Sequence, residues 1–479
     1  MIPSERLKSW ISNSCAVCAA ILLLLYLTLP QDASPEYDYT VSFLMRRVFP
    51  FVLLAAFVSR DSVSRVLFSL SKKYKFMGIV GIAVLSIPLL APSLDKLSWQ
   101  MGYLLSACWM IGALCSALVI FAVAAKINNL FSGGLCLIGS LALAFSVMEG
   151  YLLLTSQPQD ALLDDSHHSK YVLSNQAAPI SENLCRTAVG TFPKAAGSPV
   201  FTAHRELKFD RVLFDVRYGF DAQGRRVTPA SDGTPLAEVL LFGCSFTFGY
   251  GLEDNETWPW QLGELLGPKW RVSNYAYNGF GPQQMLTLLE EGLIEAPVSS
   301  KRAALFLAIE GQIPRNAGLL FRHSIRYALR DDGHLERDGF TTDSPYTILF
   351  LLPGYFNGSQ LVRHLSGCLT QFFVKRHHDD FVKSYLAILE ESARLLREKY
   401  NTPLTILLWP DVEYLEAELQ QRGIATLRAR SLLPDWDTAG DAYCIDPRWE
   451  RHPSSKATRE LAEGPAAYFR QSATQKEGV

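Results

Sequence analysis

The sequence predicts two parts of different class: a multi-span α-helical membrane region, followed by an α/β domain whose mostly parallel sheet is covered by helices on both faces. Three observations lead there. Apolar runs fill the first 155 of the 479 residues, whereas charges and histidines concentrate after them. The last two of those runs reach the roughly 20 apolar residues that cross a bilayer. Beyond residue 205, short apolar strand patterns alternate with amphipathic helix patterns, the βαβα rhythm of a parallel sheet.

The membrane part, residues 1–155, holds about five candidate spans: Cys15–Leu29, Phe43–Phe57, Met77–Ala91, Met101–Ala125 and Leu130–Leu154. A cleavable signal peptide is the alternative for the first, but no small-x-small processing site follows it and further spans do. Charge sets the orientation. Arg6 and Lys8 precede the first span, Asp32, Glu36 and Asp38 follow it, and Arg60, Arg65, Lys72, Lys73 and Lys75 crowd the loop before the third. Basic short loops stay cytoplasmic, so the amino terminus lies inside and everything after residue 155 outside. The lipid bilayer is thus the first expected partner. With 45 basic and 47 acidic residues the chain carries a formal charge of -2, which excludes the charge excess of a nucleic-acid binder.

Residues 156–205 read as a linker and the start of the soluble part. Asp160, Asp164, Asp165, His167 and His168 form a polar patch there; His-His beside carboxylates can bind a metal, and an exposed linker is the plainer meaning. Cys185, Cys244, Cys368 and Cys444 of the soluble part are not arranged as paired CxxC motifs, so zinc and iron-sulfur sites lack support. No metal is expected.

In residues 206–479, Phe209–Arg226 suggests a hairpin with Gly224 in the turn. Strands are expected at Glu238–Phe242, Arg271–Tyr275, Ala303–Ile309 and Leu404–Trp409. Helices are expected at Glu256–Leu266, Pro282–Glu291, Asp380–Lys399 and Ser454–Phe469. Residues 316–380 break the rhythm and read as an insertion, with Arg315, Arg322, His323 and Arg326 near a strand end. In such sheets reactive groups gather beyond the carboxyl ends of the strands, where Ser245, Gly279 and the residues after Ile309 fall.

The densest signal is LLFGCSFTFGYGLEDNETWPWQL, Leu240 to Leu262. A buried strand runs into Gly243 and Ser245, and Gly249 and Gly251 let the following loop approach closely. In isolation such a serine serves a helix cap or turn. As a nucleophile it needs a base and backbone N–H groups for the developing oxyanion.

This block, GCSFTFGYGLEDNETWP, resembles the SGNH hydrolase superfamily, or GDSL-type esterases, and especially its long membrane-linked bacterial members. The resemblance runs from about Phe209 to the carboxyl terminus and implies a three-layer flavodoxin-like α/β/α fold, ester hydrolysis or acyl transfer, and no metal or organic cofactor. The family serine falls on Ser245. Where the family has Asp before it, this chain has Cys244, whose thiol is the lesser candidate nucleophile. The family oxyanion glycine matches NYAYNGFGPQQ at Gly279, with Gly281 as the neighbouring alternative. In the third block, AIEGQIPRN, the usual Asn is missing and Gln312 is the substitute amide donor. Asn278 and Arg315 are candidate substrate contacts.

The last block, CIDPRWERHPSSKATRELAE, places the family histidine on His452, before Pro453. Its acid normally lies two or three residues earlier. Trp449 cannot serve, so Glu450 is the first choice and Asp446, six residues away, the second. The resemblance implies an extracytoplasmic esterase or O-acyltransferase of the bacterial inner (plasma) membrane. Its substrate would be an acylated envelope glycan or lipid. The competing reading is a catalytically silent glycan-binding or assembly subunit of an envelope export system, with envelope-assembly proteins as partners.

Overall fold

A computed structural model describes residues 70–90, 99–125 and 130–155, short strands at 170–172, 184–187 and 190–193, and, with breaks at loops, most of 200–475. The first two candidate spans, the His167–His168 pair, Arg322 and His323 lie outside the described residues. The chain divides into two compact units, Met1–Ala161 with Leu349–Leu369, and Leu162–Ile348 with Thr370–Val479.

The first unit contains helices α1 (Lys72–Leu90), α2 (Trp99–Ala124) and α3 (Leu130–Thr155). Within α2 and α3, Leu104–Ala124 and Leu135–Leu152 are long and apolar enough to cross a membrane. Leu137, Ile138, Leu141 and Val147 are exposed on α3, as expected of a surface solvated by lipid rather than by water. Lys72, Lys73 and Lys75 open α1, which leaves an apolar stretch shorter than the roughly 20 residues of a span.

The second unit is a doubly wound α/β domain. Five strands, β1 (Ala237–Phe242), β2 (Trp270–Asn274), β3 (Lys301–Ala308), β4 (Leu404–Leu408) and β5 (Ala425–Arg428), form one sheet in the order β2-β1-β3-β4-β5, every neighbouring pair parallel. This is the flavodoxin-like order. The chain runs outward from β1 to β2 and then reverses direction to β3, β4 and β5. Right-handed crossovers therefore send the first helix to one face and the following helices to the other. Accordingly α4 (Trp258–Leu266) packs with the last helix, α8 (Ser455–Gln475), and α5 (Pro282–Glu290) with α7 (His378–Tyr400); α6 (Gln360–Arg376), whose residues up to Leu369 belong to the first unit, precedes α7. All six residues of β1 and all five of β4 are buried, which is why both read as mostly apolar runs, interrupted by Glu238 and Thr405.

Three elements differ from expectation. The hairpin is displaced: Val200–Leu207 pairs antiparallel with Arg211–Gly219, and Gly224 turns a shorter loop in which Asp221 accepts from the N–H of Arg225 at 2.9 Å. Alternation of side chains has a period of two along both arms and does not say where the chain reverses. The edge strand β5 was not anticipated, because a four-residue, half-exposed strand carries little apolar signal. Residues 325–340 contain a second hairpin, Ile325–Leu329 with Leu335–Phe340.

Candidate active site

The break in strand order lies between β1 and β3, and the loop after β1 opens there at the carboxyl edge of the sheet, where ligands of doubly wound sheets bind. Gly243 leaves β1 with φ +144°, and a Cβ on it would stand 2.3 Å from Thr247 Oγ1, so only glycine passes. Ser245 then begins a short helical turn, Ser245–Phe248, with Cys244 at its N-cap. The N–H groups of Thr247 and Phe248 both donate to Cys244 O. The Cys244 side chain is fully buried, while Ser245 stays half-buried with its hydroxyl at the loop's mouth.

His452 arrives from the other end of the chain. Glu450–Pro453 is a short strand paired antiparallel with Cys444–Asp446. Residues two apart on a strand share a face, so Glu450 and His452 point the same way. His452 Nε2 lies 2.7 Å from Ser245 Oγ, and Glu450 hydrogen bonds His452 Nδ1. Glu450 is buried, with 3 % of its surface exposed, which makes it a fixed acceptor. Asp446 is also buried and stands opposite Glu450 in the ladder; the carboxylate on the imidazole is that of Glu450. The imidazole is flanked by Tyr250 and Phe246, with ring centroids 4.7 Å and 5.2 Å away, and Phe246 is braced edge-on by Trp409 at 5.2 Å.

Gly279 lies in the loop between β2 and α5 with φ +79°, a left-handed conformation that suits glycine. Two side chains hold this loop. Asn274, buried at the end of β2, donates to Thr247 O at 3.3 Å and accepts from the N–H of Ala276 at 3.0 Å, tying the serine turn to the glycine loop. Arg315 donates to Phe280 O. Arg315 is 6 % exposed, and through Phe280 O its guanidinium holds the loop. Gln312 stands just past the end of β3. It is fully buried. Its amide donates to Leu307 O at 3.1 Å, and its oxygen accepts from the N–H of Ile309 at 3.2 Å and from the Tyr385 hydroxyl at 3.1 Å. It closes the turn after β3. Asn278 sits beside Gly279, half-buried. Arg326 pairs with Asp338 at 3.0 Å.

The residue with the largest structural burden near the site is Arg226. Its guanidinium is fully buried and donates to Phe248 O (3.1 Å), Gly249 O (2.5 Å) and Leu252 O (2.5 Å), pairs with Asp254 at 3.0 Å, and stacks 4.2 Å over the Tyr218 ring. Burial lowers its pKa, and the neighbouring Tyr218 and Asp254 oppose that fall. Burial in turn raises the Tyr218 hydroxyl, which accepts from the N–H of Gly251 at 2.8 Å. Arg226 thus clamps the loop that follows Ser245 and carries Tyr250. In sequence, Arg225 and Arg226 are two charged residues after a turn, which resembles a solvated surface and conceals this. Arg226→Ala strands three carbonyls and a carboxylate; it is expected to destabilise the second unit by on the order of 3 kcal/mol, read from the urea midpoint of tryptophan fluorescence. An unchanged midpoint contradicts the clamp.

Among the described residues, no cluster of three or more His, Cys, Asp or Glu side chains could hold a metal ion. No protein-family model matches the sequence, and no curated protein does. Among solved structures, a lipolytic protein of the G-D-S-L family from Veillonella parvula DSM 2008 aligns with 49 % of this chain and 98 % of its own, at 13 % identity and a TM-score of 0.29. A lipolytic protein of the same family from Desulfitobacterium hafniense DCB-2 aligns with 48 % of this chain and 98 % of its own, at 11 % identity and a TM-score of 0.25. The class is defined by this chain's own topology and site: a flavodoxin-like α/β domain with a Ser–His–Glu hydrogen-bond chain at its topological switch point.

Proposed function

We propose that this chain is a membrane-anchored serine esterase or O-acyltransferase of the SGNH type, with Ser245, His452 and Glu450 as its catalytic residues. The observation that carries the reading is the unbroken chain from Glu450 through the imidazole to the Ser245 hydroxyl, with 2.7 Å between Nε2 and Oγ. Nucleophile, base and orienting acid stand in hydrogen-bond reach, the arrangement that makes a serine hydroxyl reactive.

In the reaction, Ser245 Oγ attacks the ester carbonyl while His452 Nε2 takes its proton. The Glu450 carboxylate keeps the Nδ1–H tautomer and stabilises the imidazolium. The N–H groups of Ser245 and Gly279 receive the oxyanion. His452 then returns the proton to the leaving alcohol, and an acyl-serine remains. Water attacking that ester completes hydrolysis, and a sugar hydroxyl completes transfer. We place α2 and α3 among several spans of a bacterial inner membrane, with the second unit outside the cytoplasm. An acylated envelope glycan or lipid is the substrate class that fits this position.

A fluorophosphonate probe is the direct test, because it phosphonylates an activated serine and spares an ordinary one. Wild-type protein is expected to carry the label on the peptide containing Ser245, and Ser245→Ala to carry none. Equal labelling of the two proteins excludes Ser245; labelling of Cys244 instead would move the nucleophile by one residue.

A further inference from the structure

We infer that α6, Gln360–Arg376, lies in the lipid interface and is a second membrane contact of the chain, separate from the spans. The inference rests on the reading of α2 and α3 as membrane-crossing helices. Its starting point is Glu149, a carboxylate with no exposed surface in an otherwise apolar stretch of α3. An ionisable group at such a place is costly unless it is bound. Here it accepts from Ser106 Oγ of α2 at 2.5 Å, from Ser359 Oγ at 2.8 Å, and from the backbone N–H groups of Gln360 and Leu361 at 2.7 Å and 3.0 Å.

Two of those donors are the first N–H groups of α6, which have no partner within the helix itself. The Glu149 charge also complements the positive end of the helix dipole. The apolar stretch of α3 ends at Leu152, so Glu149 sits in its last turn. Helix α6 therefore begins at the level where α3 leaves the hydrocarbon.

The outward surface of α6 matches that position. Leu365 (50 % exposed), Leu369 (42 %) and Phe372 (56 %) stand uncovered, and Cys368 between them is exposed as well. Their spacing, i, i+3, i+4, i+7, is one helical stripe. His364 and Gln371 border it, and Lys375 and Arg376 end it, cations suited to phosphate headgroups. An exposed apolar stripe with a cationic end is the pattern of a helix lying in the headgroup–acyl boundary. The segment leading into α6, TILFLLPGYF at 347–356, is itself apolar.

The full chain, reconstituted in vesicles of phosphatidylcholine with one quarter phosphatidylglycerol, supplies the test. Cys368 is labelled with an environment-sensitive fluorophore, and Cys368→Ser, labelled identically, gives the background from other cysteines. The Cys368 signal is expected to be quenched at least about twofold more by lipids carrying a nitroxide near the headgroup than by lipids carrying it near the chain end. The triple change Leu365→Asn, Leu369→Asn, Phe372→Asn is expected to abolish that quenching. Water-like emission from wild-type protein overturns the inference. Shielding that fades on dilution in lipid, without lipid quenching, also overturns it and assigns the stripe to a second copy. Alkaline carbonate extraction separates the two levels: protein released from the membrane refutes the spans, and protein retained but unquenched refutes α6 alone.

Discussion

Ser245→Ala and His452→Ala are each expected to lower kcat on an activated ester such as p-nitrophenyl acetate by on the order of 10⁶-fold, and the double variant by no more. The hydroxyl is a weak nucleophile until the imidazole removes its proton, and the imidazole has nothing to activate once the hydroxyl is gone. Losing either disables one unit. Oγ and Nε2 already stand 2.7 Å apart, so no rearrangement intervenes between the resting site and proton transfer. A residual rate of about 10³-fold over water is expected to survive, because backbone donors at Ser245 and Gly279 are untouched by these substitutions. Steady-state kinetics in detergent micelles checks this. A double variant whose loss is the product of the single losses would mean that the two residues act in separate steps, and the mechanism would fall.

Glu450→Gln is expected to lower kcat by on the order of 10⁴-fold, whereas Asp446→Asn changes it by about tenfold at most. Glutamine keeps the size of the side chain and can present an amide N–H to Nδ1. The imidazole then carries its proton on Nε2, facing Ser245, where it can no longer accept one. The asymmetry follows from placement: Glu450 hydrogen bonds the imidazole, whereas Asp446 belongs to the paired strand. Equal losses from the two variants would assign the acid to the hairpin as a whole, and a larger loss from Asp446→Asn would reverse the assignment.

Legibility differed between parts of the site for physical reasons. The parallel sheet could be read because β1 and β4 are buried along their whole length, and full burial writes itself as mostly apolar residues, with only Glu238 and Thr405 as exceptions. Gly243 and Gly279 stood out because their backbone angles exclude other residues. Glu450 was legible only as the first of two choices, Asp446 being the other, because nothing in the residues beside His452 shows which carboxylate turns toward the ring. Gln312 and Arg315 are polar and follow a strand end, so they read as site residues; the carbonyls they satisfy inside the fold, Leu307 O and Phe280 O, are visible only in the structure. Arg226 gave no sequence signal, because the groups it holds lie 22 to 28 residues further along the chain, and nothing near Asn274 showed its tie to Thr247, 27 residues back.

By itself, then, the sequence determined the division between an apolar helical part and an α/β domain and the strand-to-loop position of Ser245, and it narrowed the acid beside His452 to Glu450 or Asp446. These are properties of near neighbours, expressed as hydropathy and period. Only the tertiary structure decided the strand order that puts the Ser245 loop at the switch point between β1 and β3, the shared strand face of Glu450 and His452, and the Nε2–Oγ contact across 207 residues. It alone joined Arg226 to the loop behind the serine and Glu149 to the start of α6. A buried polar group must find partners wherever the fold brings donors and acceptors together, and that meeting is not written in the residues beside it.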